Sequence, residues 1–304
     1  MAHATHSLAV AVSAPQENYW ENGRQYHGFR KGLYMYPCDE DEKDRMDLYH
    51  KLFEVARKGQ LHQAPFNTYP TQYGEGPRIL DLGCGTGIWA LDMADKYAHA
   101  QVVGVDLVNI QPLRISPNLR FRVPLDYESL WTLGENSWDL IHLQMACGSV
   151  SSWPELYQKI FSHLKPGQGW IEQLEIDLQP RCDDGSLPAD SYLVHWYNYL
   201  ADATQRSGKP IAYQHNTRQM LQNAGFIDIQ ETIIRAPYTT WPSDPHQKEI
   251  SRWYNFGITD GLEALSMAPF TRINRWSARE HVQPLIEQVR KEINTRKYHA
   301  YNNM

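Results

Sequence analysis

The sequence predicts an α/β fold, a doubly wound and mostly parallel seven-stranded sheet with an N-terminal helical cover and a helical insertion before the last strand. Three observations predict it. Short apolar runs alternate with helix-period segments between residues 77 and 236. The first run ends in an acid followed by a glycine cluster that opens a helix, and the second run also ends in an acid.

Residues 1–18 are rich in Ala, Ser and His without periodicity and read as a disordered arm. Residues 19–304 read as one domain, divided into a cover (19–76), a core (77–236) and a helical insertion (237–298). In the cover, Asp39 caps a helix, Glu42 completes a capping box, and Met46, Leu48, Tyr49, Leu52, Phe53 and Val55 supply its apolar face. Strand one ends at Ile79-Leu80-Asp81, a helix covers about Gly87 to Tyr97, and strands two, three and four cover Gln101–Val105, Leu119–Val123 and Trp138–Leu143. Ser152, with Glu155 three residues on, starts the next helix, and Lys165-Pro166-Gly167 stops it. Gly169–Leu178 is strand five, Ala189–Arg206 and Thr217–Asn223 are helices, and Ile227–Ile234 is strand six. The insertion carries a helix around Gln247–Leu265, a last amphipathic helix spans Ala278–Asn294, and Tyr298–Met304 begins a final strand.

Composition narrows the function classes. With 29 basic and 35 acidic residues and no long run of one sign, the chain lacks the electrostatic footprint of a nucleic-acid binder. Cys38, Cys84, Cys147 and Cys182 lie far apart without a CxxC pair, so reduced thiols are expected rather than disulfides or a metal site. No stretch approaches 18 consecutive apolar residues and the start lacks the pattern of a signal peptide, so an intracellular protein without membrane insertion is expected.

The chemistry sits in Asp81-Leu82-Gly83-Cys84-Gly85-Thr86-Gly87. A dinucleotide fingerprint is GxGxxG and cradles a pyrophosphate; here the loop is GxGxG, with Ile88 where the third glycine of that fingerprint would fall. Asp81 would repel phosphate but can hold a cationic amino group, which suits the methionyl end of S-adenosylmethionine. Asp106, at the tip of strand two and 19 residues after Gly87, can accept both ribose hydroxyls, with Leu107 beside it. Asp126 and Tyr127, in Pro124-Leu125-Asp126-Tyr127 after strand three, can hydrogen-bond and flank the adenine. NAD would also use an acid at Asp106 and is the alternative cofactor. The fold expected is therefore a Rossmann-like class I methyltransferase.

A displacement at a sulfonium methyl needs positioning more than a dedicated catalytic group, so no catalytic residue is assigned. Residues emerging after strand four, Gln144, Met145 and Cys147, face the acceptor, and Tyr26, His27 and Tyr34 fold over as a lid. Pro37-Cys38 precedes the cofactor loop, so Cys38 is structural, and no Asn-Pro-Pro-Tyr or Asp-Pro-Pro-Tyr follows strand four. Glu172 and Glu175 fall on opposite faces of a strand, which gives them solvent or structural roles. Trp253 and Trp276 are packing residues.

Glu21 to Arg30 (ENGRQYHGFR), Pro37 to Glu40 (PCDE), Asp44-Arg45, Asp81 to Ala90 (DLGCGTGIWA), Gly104 to Leu107 (GVDL), Trp138 to Met145 (WDLIHLQM), Cys147 to Val150 (CGSV), Pro180 to Asp184 (PRCDD) and Arg252 to Asn255 (RWYN) carry a wider likeness. Through them the chain, from about Tyr19 to Tyr301, resembles the LaeA-like fungal methyltransferases of the velvet regulatory system. The resemblance implies a regulator of fungal development and secondary metabolism in nucleus and cytoplasm. It implies a protein partner: a second LaeA-like methyltransferase, a velvet-domain protein or a membrane-tethering zinc-finger protein. An active enzyme with a protein acceptor, a pseudo-enzyme serving as a heterodimer subunit, and a small-molecule methyltransferase all remain open at this point. Family members run on past the match to His299–Asn302, whereas this chain stops at Met304, so a trimmed chain is expected rather than a shorter sheet.

Overall fold

The computed structural model describes residues 17–304; the expected disordered arm lies almost wholly outside the described residues. The chain opens with a hairpin the sequence did not announce, β1 (Tyr19–Glu21) against β2 (Arg24–Tyr26), and then enters α1 (Glu40–Ala56). Asp39 caps α1 as expected, accepting from Glu42 N–H at 3.1 Å, and also binds Arg24 at 2.7 and 2.8 Å. The reciprocal half of the capping box does not form, because the Glu42 carboxylate turns to Arg45.

The core alternates β3 (Arg78–Leu82), α2 (Ile88–Lys96), β4 (Gln101–Val105), β5 (Leu119–Arg122), β6 (Leu140–Gln144), α3 (Trp153–His163) and β7 (Trp170–Leu174). All five strands are parallel in the order β5-β4-β3-β6-β7. β3 is central, so Ile79, Leu80 and Leu82 are buried on both faces. Trp89, Ala90 and Met93 of α2 pack one face of the sheet, and Leu156, Tyr157 and Ile160 of α3 pack the other. The order reverses at β3 and β6, which opens a crevice at their carboxyl ends, where open α/β sheets bind ligands.

The strands after β7 depart from expectation. Strand five is divided: after β7 the chain breaks at Glu175-Ile176 and resumes as β8 (Asp177–Cys182). Two helices follow, α4 (Tyr192–Arg206) and α5 (Thr217–Ala224). Residues 227–234 form no strand; the only extended piece there is β9 (Arg235–Pro237). A cleft of about 950 Å³ separates β7 from this segment, and Ile227 is 81% and Ile233 61% exposed. An alternating apolar run makes a strand only where a neighbour completes its hydrogen bonds, and among the described residues that happens only at its end, where Ile234 and Met304 exchange two backbone hydrogen bonds of 2.8 Å. β9 joins β8 and the last strand, β10 (Ala300–Asn303), in an antiparallel sheet ordered β8-β10-β9. Six of the seven expected strands thus form, the fifth divided between a five-stranded and a three-stranded sheet, and the sixth is replaced by β9 just beyond it.

The insertion is a helical layer. α6 runs from Pro245 to Ala268, capped by Asp244 through Gln247 N–H at 2.7 Å, and α7 (Gln283–Ile293) follows. The first turn of the expected last helix, Ala278–Val282, is a π turn that leads into α7. α6 lies along α1, and its Gly257 and Gly261 admit Tyr49 and Arg45 close to the backbone. Ser152 begins α3 without forming its side-chain cap bond.

Gly87 starts α2 at φ +81°, and a Cβ there would lie 2.4 Å from the Phe121 ring. Gly87→Ala is therefore expected to cost about 2–4 kcal/mol through left-handed strain and overpacking. A urea titration checks it; an unshifted midpoint would show that the Phe121 ring yields freely.

Candidate functional site

The crevice is a cavity of about 480 Å³ between the tips of β3, β4 and β6, the loop after β5, and the cover. Its floor is the glycine loop. Gly83 and Cys84 N–H both donate to Val105 carbonyl, at 2.9 and 3.0 Å, and Gly85 N–H donates to Asp106 Oδ2 at 2.8 Å. Gly83 and Gly85 hold φ of +70° and +55°, which glycine alone adopts without strain. Asp106 Oδ1 accepts from Val108 N–H at 2.9 Å. Burial pushes the Asp106 carboxyl up to about 6, against the downward pull of those two bonds.

Asp81 is set from the next strand. His142 Nδ1 lies 2.9 Å from Asp81 Oδ1, and the imidazole stacks on Trp89 with centroids 3.6 Å apart and rings 5° from parallel. That stacking fixes the ring, and the ring fixes the carboxylate. Asp81 Oδ2 is buried and has no hydrogen-bond partner among the described residues.

The cover closes the opposite side. His27, Tyr34 and Tyr36 form an aromatic chain, with His27 to Tyr34 at 5.3 Å and Tyr34 edge-on to Tyr36 at 5.2 Å. Arg30 reaches across to pair with Asp126 and donates to Ser129 Oγ at 2.6 Å. Asp126 Oδ1 also accepts from Glu128 N–H at 2.7 Å, so this acid latches the cover onto the loop after β5. Tyr127 lies over the loop, 3.3 Å from where a Gly83 Cβ would stand.

The far wall is the turn after β6. Met145 sits at φ +54°, and Glu175 holds the turn by accepting from Ala146 and Cys147 N–H at 3.1 and 3.2 Å, with Gln173 Nε2 at 3.1 Å. Burial raises the Glu175 carboxyl to about 7 and the Cys147 thiol above its usual range. Gln144 Oε1 is buried without a partner.

Of the residues singled out in the sequence, Asp81, Gly83, Cys84, Gly85, Asp106, Leu107, Asp126, Tyr127, Gln144, Tyr34, His27, Met145 and Cys147 line this cavity. Two do not. Gly87 serves the start of α2, and Tyr26 is 1% exposed in a small core with Met35 and Ala268, under the Arg272 guanidinium. Glu172 is structural, binding Gln63 and Ala64 N–H and pairing with Arg57, but Glu175 faces the cavity. Glu42, Arg45, Met46, Tyr36, His142 and Lys209 also line it and were not singled out as site residues. For the α1 residues the signal was present: Glu42, Arg45, Met46 and Tyr49 recur at helix spacing, which puts charged groups on the face turned inward.

These features fit a sulfonium nucleoside. A Cβ on Gly85 would lie 2.6 Å from Met46 Sδ, so a side chain at that position would crowd the loop floor. Asp81 Oδ2 and Gln144 Oε1 are buried acceptors that lack donors, and an α-ammonium group supplies them.

Comparison with known proteins agrees. A family profile described as "Methyltransferase domain" matches residues 44–231. The chain is 69% identical over 298 residues to the "Secondary metabolism regulator LAE1" of Cochliobolus heterostrophus, covering 98% of this chain and 96% of that one. It is 50% identical over 284 residues to the "Protein-methionine methyltransferase laeA" of Emericella nidulans, covering 93% of this chain and 73% of that one. Among solved structures, a Haemonchus contortus phosphoethanolamine N-methyltransferase 2 in complex with S-adenosyl-L-methionine is similar at a TM-score of 0.45 and 17% identity, over 84% of this chain and 51% of that one.

Glu175 also sets a pH dependence. Its folded value, about 7, lies above the ordinary 4.5, so the fold retains a proton that the unfolded chain has released. Its favourable contribution is complete below about pH 4.5 and is lost as pH rises through about 7. Glu175→Gln is expected to be least stable relative to the unmodified chain at pH 5 and to close that gap by pH 8, in thermal melts. A gap that is constant with pH would show that Glu175 is ionised throughout.

Proposed function

The chain belongs to the family of LaeA and LAE1 secondary metabolism regulators and carries its methyltransferase domain, and from that premise we propose that it transfers the methyl group of S-adenosylmethionine to a methionine thioether of a protein. It is an S-adenosylmethionine-dependent methyltransferase. The acceptor reading draws on the Emericella relative's name and on one observation: Met145 lines the same cavity as the glycine loop and the unpartnered Asp81 oxygen. Met145 is the acceptor this chain itself offers.

Bound in this cavity, S-adenosylmethionine supplies an electrophilic methyl group on a sulfonium. Asp81 would hold the amino group through Oδ2, while His142 keeps the carboxylate aimed from Oδ1. Asp106 would accept from the ribose hydroxyls, and Tyr34 and Tyr127, which line the same cavity, would flank the nucleoside and exclude water. The acceptor sulfur's lone pair would form the new C–S bond as the old one breaks, its electrons returning to the donor sulfur. No proton moves, so no residue has to act as a base. Glu175, held by three donors, positions the turn that carries Met145.

In the cell the reading follows the family resemblance: a regulator of development and secondary metabolism, in nucleus and cytoplasm, joined to a velvet-domain protein, a second LaeA-like methyltransferase or a membrane-tethering zinc-finger protein. No helix among the described residues is long and apolar enough to cross a membrane.

Purified chain incubated with methyl-labelled S-adenosylmethionine is expected to gain one methyl group on Met145 in peptide mass spectrometry, and Met145→Leu to lose it. Label on another residue type, or none, rejects the thioether reading. Asp81→Asn is expected to weaken S-adenosylmethionine binding about tenfold or more by calorimetry, because it removes a charge-assisted bond. Affinity should also decline below about pH 6 as the Asp106 carboxylate takes a proton. Affinity that is flat between pH 5 and 8 would remove Asp106 from the ribose.

A further inference from the structure

α1 places a bidentate ion pair where helix-surface pairs do not normally lie. Arg45 Nε and Nη2 donate to Glu42 at 2.8 and 2.5 Å, and the two side chains are only 11% and 2% exposed. Burying such a pair is seldom justified by stability alone, because desolvation offsets the attraction. Both members line the cavity.

The guanidinium is held on every side. Its stem fits the notch at Gly261 of α6, with Cδ 3.1 Å from where a Cβ would stand, and its plane lies over the Tyr49 ring at 5.1 Å. Glu42 takes two of its five N–H donors, so the fork keeps donors to spare. The next residue on α1, Met46, presses on Gly85, which puts this helix face against the glycine loop. Tyr34 is close enough to both Arg45 and Asp106 to feel both charges. The other lysine and arginine side chains at the cavity are engaged elsewhere: Arg30 with Asp126, and Lys209 with Glu128 and Ser149 carbonyl.

The methionyl end of the cofactor is a zwitterion, and Asp81 answers only its ammonium. We propose that Arg45 receives its α-carboxylate, so that Asp81 from β3 and Arg45 from α1 grip the two ends of the amino acid. The inference rests on the cofactor reading above. In this arrangement Glu42 is a positioning residue: it orients the fork and tempers its charge, while Arg45 makes the contact. A guanidinium matches a carboxylate with two parallel bonds, which lysine cannot do.

The test compares S-adenosylmethionine with decarboxylated S-adenosylmethionine, which keeps the sulfonium, the nucleoside and the amine. Calorimetry on the unmodified full chain is expected to show the carboxylate-bearing compound binding about 10- to 100-fold more tightly. Arg45→Gln is expected to erase that preference by weakening S-adenosylmethionine alone, and Arg45→Lys to retain part of it. Equal affinity of the unmodified chain for the two compounds overturns the assignment, and that comparison needs no variant to fold. Equal weakening of both compounds by Arg45→Gln, or weakening of neither, overturns it as well. An unmodified chain that binds neither compound overturns the cofactor reading itself.

Discussion

The hydrogen bond from Gly85 N–H to the Asp106 carboxylate is the contact on which the site depends. It ties the turn after β3 to the tip of β4, so the glycine loop is shaped by the neighbouring strand and not by its own residues alone. The loop can therefore remain free of side chains and still hold one conformation. The same bond opposes the effect of desolvation at the cavity edge, which raises the Asp106 carboxyl, so the contact that fixes the loop also favours the ionised acid.

Around that centre the chain arranges supports of unlike kind. His142 braces Asp81 from β6, and Trp89 braces His142 from α2, so the first acid is set by two elements that follow it in sequence. The cover is latched by polar pairs at its rim: Arg30 to Asp126 on one side, Arg272 to Glu21 at 2.7 Å on the other. Its interior is aromatic. The rim pairs contribute little each, and the cover is held chiefly by apolar packing, with Tyr26 and Met35 against Ala268 and Tyr36 in the core shared with α4 and α6. α1 differs, since Tyr49, Leu52 and Phe53 are buried against the α6 layer, and the groups it presents to the cavity are correspondingly fixed.

How much was legible in the sequence follows from the range of the forces involved. The elements from β3 to α3 could be read because their signals are local: apolar periodicity, glycine at a turn, an acid at a strand tip. Asp81, Asp106 and the residues after β6 gather at one cavity for the same reason, since the parallel sheet brings its carboxyl ends together whatever the side chains. What was not legible needed a partner distant in sequence. Residues 227–234 alternate like a strand but find a backbone partner only at Ile234, which bonds Met304 at the far end of the chain. Gly169–Leu178 reads as one strand but divides where Glu175 turns toward the β6 turn, 28 and 29 residues earlier. Tyr26 appeared to belong to a lid, yet Arg272, far along the chain, draws it into a core. Glu42 appeared to complete a capping box, yet Arg45 claims it. His142 looked like one more position of a buried strand until Asp81 and Trp89 met it.

The balance of charge in the cavity bears on the chemistry it suits. Asp81 and Asp106 line the cavity, and in a site shielded from water an ionised carboxylate stabilises a positive charge more than it would in bulk solvent. Methyl transfer to a neutral thioether moves a sulfonium from donor to acceptor without creating or destroying charge. An acidic lining therefore serves both ends of the step and need not be reorganised between them. Transfer to a hydroxyl would instead require a proton to be taken up, and the acid nearest the turn after β6, Glu175, already has its oxygens engaged by three donors. The carboxylates of Asp81 and Asp106 suit a step in which the positive charge stays within the cavity from start to finish.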